Sequence, residues 1–145
     1  MEIERKFKPR ALGEIAIRCE NIDAMVSFYR DVIGLSPLPG GHRRDIVFLK
    51  VADGYAGHTC VLALFRADGD KPATGAASSL HHIALTVSYQ EQDAVIAWYE
   101  SLKQPYRIEE FDWIGWRGIF TQDPDGNTVE LVAYDPSSRG DPSAD

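Results

Sequence analysis

Glu14, His82 and Glu130 are the residues of this chain whose types and placement could do chemistry together. Each falls in a short run rich in branched apolar residues, at positions 12–19, 80–87 and 128–134, the mark of β-strands. Alternate residues of a strand face opposite sides. Ile15, Ile17 and Cys19 share an apolar side suited to packing on a helix, so Glu14, Ala16 and Arg18 point the other way. By the same parity His82, Ala84 and Thr86 oppose Ile83, Leu85 and Val87, while Thr128, Glu130 and Val132 oppose Val129 and Leu131. His81 has the opposite parity to His82 and reads as structural or exposed. Two ionised carboxylates about 4 Å apart at an effective dielectric near 20 repel by roughly 4 kcal/mol, so a shared face for Glu14 and Glu130 needs compensation. A divalent metal, the guanidinium of Arg18 or a proton shared between the carboxyls would each supply it.

The elements that must position these groups come in two copies. Leu12-Gly13-Glu14-Ile15-Ala16-Ile17 returns as Leu80-His81-His82-Ile83-Ala84-Leu85, and Asp23-Ala24-Met25-Val26-Ser27-Phe28-Tyr29 returns as Asp93-Ala94-Val95-Ile96-Ala97-Trp98-Tyr99. A unit of roughly seventy residues is duplicated, and the position that differs is Glu14 against His82. Helical spacing of apolar residues predicts helices over 23–33 and 93–102, with Asp23 and Asp93 as caps or first-turn acids and Gly34 closing the first. Further strands are expected over 45–51 and 58–65 in the first half, and over 106–111, 116–121 and 128–134 in the second. Asp123-Pro124-Asp125-Gly126-Asn127 reads as the tight turn between the last two. Residues 36–44, with two prolines and two glycines, read as a loop. Residues 66–79 form a polar linker between module one (11–65) and module two (80–134), and the tail 135–145 reads as disordered.

Composition narrows the function. A chain of 145 residues, 44% hydrophobic, suits one domain, here 11–134, built from two half-units. A net charge of −7 disfavours nucleic acid and anionic membrane surfaces, both of which require a basic face. No apolar run is long enough to span a bilayer. The N-terminal residues 1–8 alternate charge with apolar side chains and lack the apolar centre of a secretory signal. Cys19 and Cys60 fit two free, buried thiols. A cytoplasmic protein is expected. Trp113, Trp116 and Arg117 flank Gly115, and with Arg18 they are candidate pocket residues for an aromatic or anionic substrate.

The repeated Leu-x-His-Ile-Ala-Leu strand, the Asp-Ala helix ending in Phe-Tyr or Trp-Tyr, and the closing Asp-Pro-Asp-Gly-Asn-Thr-Val-Glu-Leu hairpin resemble the vicinal oxygen chelate superfamily over residues 11–134. That group includes glyoxalase I, extradiol dioxygenases and bleomycin resistance proteins. The resemblance implies an α+β fold: two tandem βαβββ modules forming a cupped, mostly eight-stranded mixed sheet with the helices outside. It implies metal ligands on the first and last strand of each module, which here are Glu14, His82, Glu130 and a position near Ala63, where nothing can coordinate. One imidazole and two carboxylates suit a divalent ion such as Zn, Ni, Co, Mn or Fe. Glu14 and Glu130 are then the candidate catalytic carboxylates. The reaction class implied is isomerase, epimerase, lyase or ring-cleaving dioxygenase chemistry on a small substrate. The alternative is a metal-free ligand-binding cup of the bleomycin-resistance type. A homodimer is expected, with the site within one chain or shared between two.

Overall fold

The computed structural model describes residues 1–43 and 45–137. The remainder of the tail expected to be disordered, 138–145, lies outside the described residues. Among the described residues eight strands form two four-stranded sheets, one per module. In module one, β1 (Glu14–Cys19) runs parallel to β4 (His58–Arg66), which pairs antiparallel with β3 (Ile46–Tyr55), which in turn pairs with β2 (Ser36–Arg43). Module two repeats this order with β5 (Ile83–Thr86), β8 (Thr128–Tyr134), β7 (Trp116–Gln122) and β6 (Arg107–Phe111). The segment read as a loop is strand β2. Its register with β3 slips between Pro37 and His42, which accommodates Pro39 and Gly40 without losing the edge pairing.

One helix follows the first strand of each module. Helix α1 (Ile22–Ser27) continues as a wider π turn over Phe28–Ile33 and stops at Gly34, whose φ of 96° is left-handed. Helix α2 spans Gln92–Leu102. Asp23 and Asp93 are first-turn acids; the cap of α1 is Asn21, whose side chain accepts from the Ala24 amide, and a Ser88–Glu91 capping box precedes α2.

The two modules share one core. Met25, Phe28 and Tyr29 of the first helix bury against Leu62 and Leu64 of β4 and also against Ile83 and Val129 of module two. Truncating a side chain such as Leu62, fully buried here, costs about 2–5 kcal/mol. Polar clamps fasten the join. The Tyr29 hydroxyl donates to Asp123 Oδ2 at 2.7 Å, and the same carboxylate accepts from the amides of Asp125 and Asn127 and from Asn127 Nδ2. The Glu20 amide donates to Asp125 Oδ2 and the Trp98 indole to the Val32 carbonyl. The 123–127 turn therefore closes a hairpin and holds module one to module two. Among the described residues no helix is long and apolar enough to cross a membrane.

Because Ile15 and Ile17 of the first sheet and Ile83 and Val129 of the second line the same core, the opposite faces of both sheets turn away from it. These are the faces that carry Glu14 and His82.

Candidate functional site

Module two assembles a compact polar centre on its open face. His82 stands immediately before β5, and Glu130 lies mid-β8, in register with Ala84 and Phe120. His82 Nε2 is 3.2 Å from Glu130 Oε1, with side-chain exposures of 32% and 6%. One partner is open to solvent and the other is buried. Burial pushes the Glu130 carboxyl above its ordinary value; the charge of Glu109 adds to this, while His82 and Arg107 oppose it.

The neighbours of the pair explain how a carboxylate fits there. Gly118 precedes Phe120 by two residues on the same face, and a Cβ at Gly118 would collide with Glu130 Oε2. Any side chain at position 118 would force the Glu130 carboxyl and the Phe120 ring to shift. The Phe120 ring meets the His82 ring edge-on, with centroids 5.9 Å apart. Arg107 lies over the other side of Phe120, its Cζ 4.3 Å from the ring centroid, and pairs with Glu109. Beyond Phe120 a cavity of about 440 Å³ continues past Arg107, Gln122 and Thr128. His81 Nδ1 is 2.8 Å from His82 Nδ1.

Module one offers less. Glu14 is exposed and in register with Val61. The counterpart of Glu130 is Ala63, which pairs with Ala16 as Glu130 pairs with Ala84. Among the described residues Glu14 forms no ion pair with Arg18 or any other group, so Arg18 is not its compensating charge. Arg18 instead lines a separate cavity of about 320 Å³ with Ala16 and Phe65. Among the described residues no three His, Cys, Asp or Glu side chains gather as a metal cluster; within one chain His82 and Glu130 meet and Glu14 does not join them.

The candidate pocket residues separate as well. Trp116 shares the open face with Gly118 and Phe120 and is in register with Phe111 and Tyr134. Trp113, 79% exposed, sits in the turn between β6 and β7. Arg117 is on the opposite face: β-strand alternation places it beside Tyr89, with Cζ 5.8 Å from that ring, and it does not line the site. Phe120 and Gly118 were findable from sequence, since they alternate with Trp116. His81 was not, because strand parity directed it elsewhere.

The family model described as the Glyoxalase/Bleomycin resistance protein/Dioxygenase superfamily matches residues 11–131. No curated protein matches the chain at a significant level. Among solved structures, the lactoylglutathione lyase from Agrobacterium tumefaciens is 28% identical, with a TM-score of 0.64, covering 86% of this chain and 94% of that one. A glyoxalase/dioxygenase from Nostoc punctiforme is 19% identical, with a TM-score of 0.66 and coverage of 94% and 100%. The fosfomycin resistance protein FosX from Listeria monocytogenes is 16% identical, with a TM-score of 0.66 and coverage of 91% and 99%. The last two are alike in fold alone. With duplicated modules, the expected strand order and a family match across nearly the whole of both, the chain belongs to the glyoxalase/bleomycin resistance protein/dioxygenase superfamily.

Proposed function

We propose that this chain is a metal-dependent enzyme acting on a small oxygen-bearing substrate, with His82 and Glu130 as metal ligands and Glu14 of a second copy completing the site. The observation that carries this reading is the convergence of His82 Nε2 and Glu130 Oε1 on a half-open face. An imidazole nitrogen with a carboxylate oxygen suits Zn, Ni, Co, Mn or Fe. The space left by Gly118 lets a buried carboxylate turn toward that position, where a cation would compensate its cost. The two open faces point away from the shared core, so a second copy is the available source of another donor. The bound ion would polarise adjacent substrate oxygens.

The protein's own groups supply the rest. Phe120 walls the site and excludes water on one side of His82. Arg107, held over Phe120 and paired with Glu109, has further guanidinium N–H donors for an oxygen of a substrate lying in the adjoining cavity. Glu14, exposed and outside any ion pair among the described residues, is available to complete the donor set across two copies or, left unbound, to act as the base that moves a proton on the substrate.

Elemental analysis of protein purified without chelator, and again after reloading with each ion in turn, tests the reading. About one ion per chain is expected, with occupancy reduced in His82→Ala; no ion bound under any loading condition overturns it. A second reading, a metal-free cup that sequesters a ligand, is favoured by the exposed Trp113 and Trp116. It requires ligand binding that EDTA leaves unchanged and no turnover.

A further inference from the structure

The tandem histidines carry an inference beyond that reading, although it rests on it. In a regular strand His81 and His82 would point to opposite faces. Regular β5 pairing begins only at Ile83, so the two residues ahead of it escape alternation and their rings come together. The centroids lie 5.0 Å apart, the planes cross at 73°, and the two Nδ1 atoms are 2.8 Å apart. Such a contact holds a single proton: one Nδ1 donates and the other accepts.

We infer that His81 is a positioning residue that holds the His82 ring and partners its Nδ1 in either tautomer, so that Nε2 can present its lone pair without the ring turning. His82 is held on three sides, by His81 at Nδ1, by Glu130 at Nε2 and by the edge of Phe120. For Nε2 to offer its lone pair beside Glu130, the His82 proton must sit on Nδ1 and be accepted there. His81 Nδ1 is the acceptor within reach, and His81 then keeps its own proton on Nε2. A backbone carbonyl in this place could only accept. An imidazole also donates, so His81 serves the other arrangement as well, in which His82 Nε2–H donates to Glu130 and Nδ1 accepts from His81. His82 thus keeps one ring orientation in both tautomers.

Two variants separate this role from simple packing. His81→Leu keeps bulk and removes the hydrogen bond; His81→Asn places an amide where Nδ1 stood, able to accept or donate. Affinity of the full-length chain for Zn(II), measured by competition with a chromophoric chelator, is expected to fall about tenfold to a hundredfold in His81→Leu and to recover to near the wild-type value in His81→Asn. Two-bond proton–nitrogen spectra of histidine-labelled, Zn-loaded protein are expected to show His82 protonated on Nδ1 alone, in slow exchange in wild type and in fast exchange in His81→Leu. Unchanged affinity and exchange in a folded His81→Leu protein overturn the inference and leave the metal reading standing. Wild-type protein that binds no Zn(II) or other divalent ion overturns both. Should the leucine variant fail to fold, the wild-type spectrum decides: a His82 Nδ1 that is unprotonated or exchanges freely in the loaded protein rules the role out.

Discussion

The two modules share a plan and differ in where they place volume. In module two the open face carries Glu130 on β8, in register with Phe120, and Gly118 two residues before that phenylalanine. In module one the matching positions are Ala63 on β4, in register with Phe48, and Ile46 two residues before it. A large residue beside glycine in one sheet is matched by a small residue beside isoleucine in the other. The large and small residues have changed places between the two sheets, so that a glycine leaves room for the buried carboxylate in module two and an isoleucine fills the matching position in module one. The chemistry of module two is therefore a property of a pair of positions, a donor together with the gap that admits it.

The largest effect is expected from forcing module one to resemble module two by half. Ala63 is fully buried, so Ala63→Glu places a carboxylate against Ile46 with no cation or imidazole beside it and should cost about 3–5 kcal/mol of stability. Adding Ile46→Gly should recover part of that loss, readable as a shift in the denaturant midpoint; a double variant no more stable than the single one would break the volume argument. In module two, Gly118→Ala should cost about 1–3 kcal/mol through overpacking against Glu130 and should weaken metal retention at the same time. Metal analysis and thermal melts of one preparation check both.

Effects of similar size and smaller sharpen the comparison. Tyr29→Phe removes a hydrogen bond to a charged acceptor that keeps its other donors, and about 1.5–3 kcal/mol is expected from chemical denaturation. The Glu130 carboxyl has its proton affinity raised by folding, so the folded state binds more protons than the unfolded one between the ordinary glutamate value and the raised one. Stability of metal-stripped wild type should accordingly fall as pH rises through that window and be regained below it. Glu130→Gln should flatten this dependence, and an equal slope in the variant would remove burial as the cause.

Much of this was legible in the residues. The duplication gave the module order, and parity placed Glu14, His82 and Glu130 on faces turned from the helices, because both signals are local and repeat. Strand β2 was not legible: Pro37, Pro39 and Gly40 are turn formers, and only pairing with β3 makes them an edge. Arg117 looked like a pocket residue by its neighbours in sequence, yet its own parity with Trp116 placed it on the other face. The His81–His82 contact depended on where regular pairing of β5 starts, a boundary that tertiary structure sets. Whether Glu14 meets His82 depends on which faces pack together, and no single-chain pattern encodes that.

The central claim is that metal donors divided between unlike modules meet across two copies of the chain. The most direct measurement takes differently tagged Glu14→Ala and His82→Ala chains, refolded together and purified as the heterodimer, and counts bound metal. Only one of the two sites then joins an intact His82 and Glu130 to an intact Glu14, so the account predicts a single ion per heterodimer and lowered occupancy in both the His82→Ala and the Glu14→Ala homodimers. A fully loaded Glu14→Ala homodimer, a heterodimer devoid of metal, or wild-type chains that stay monomeric while fully loaded, would contradict it.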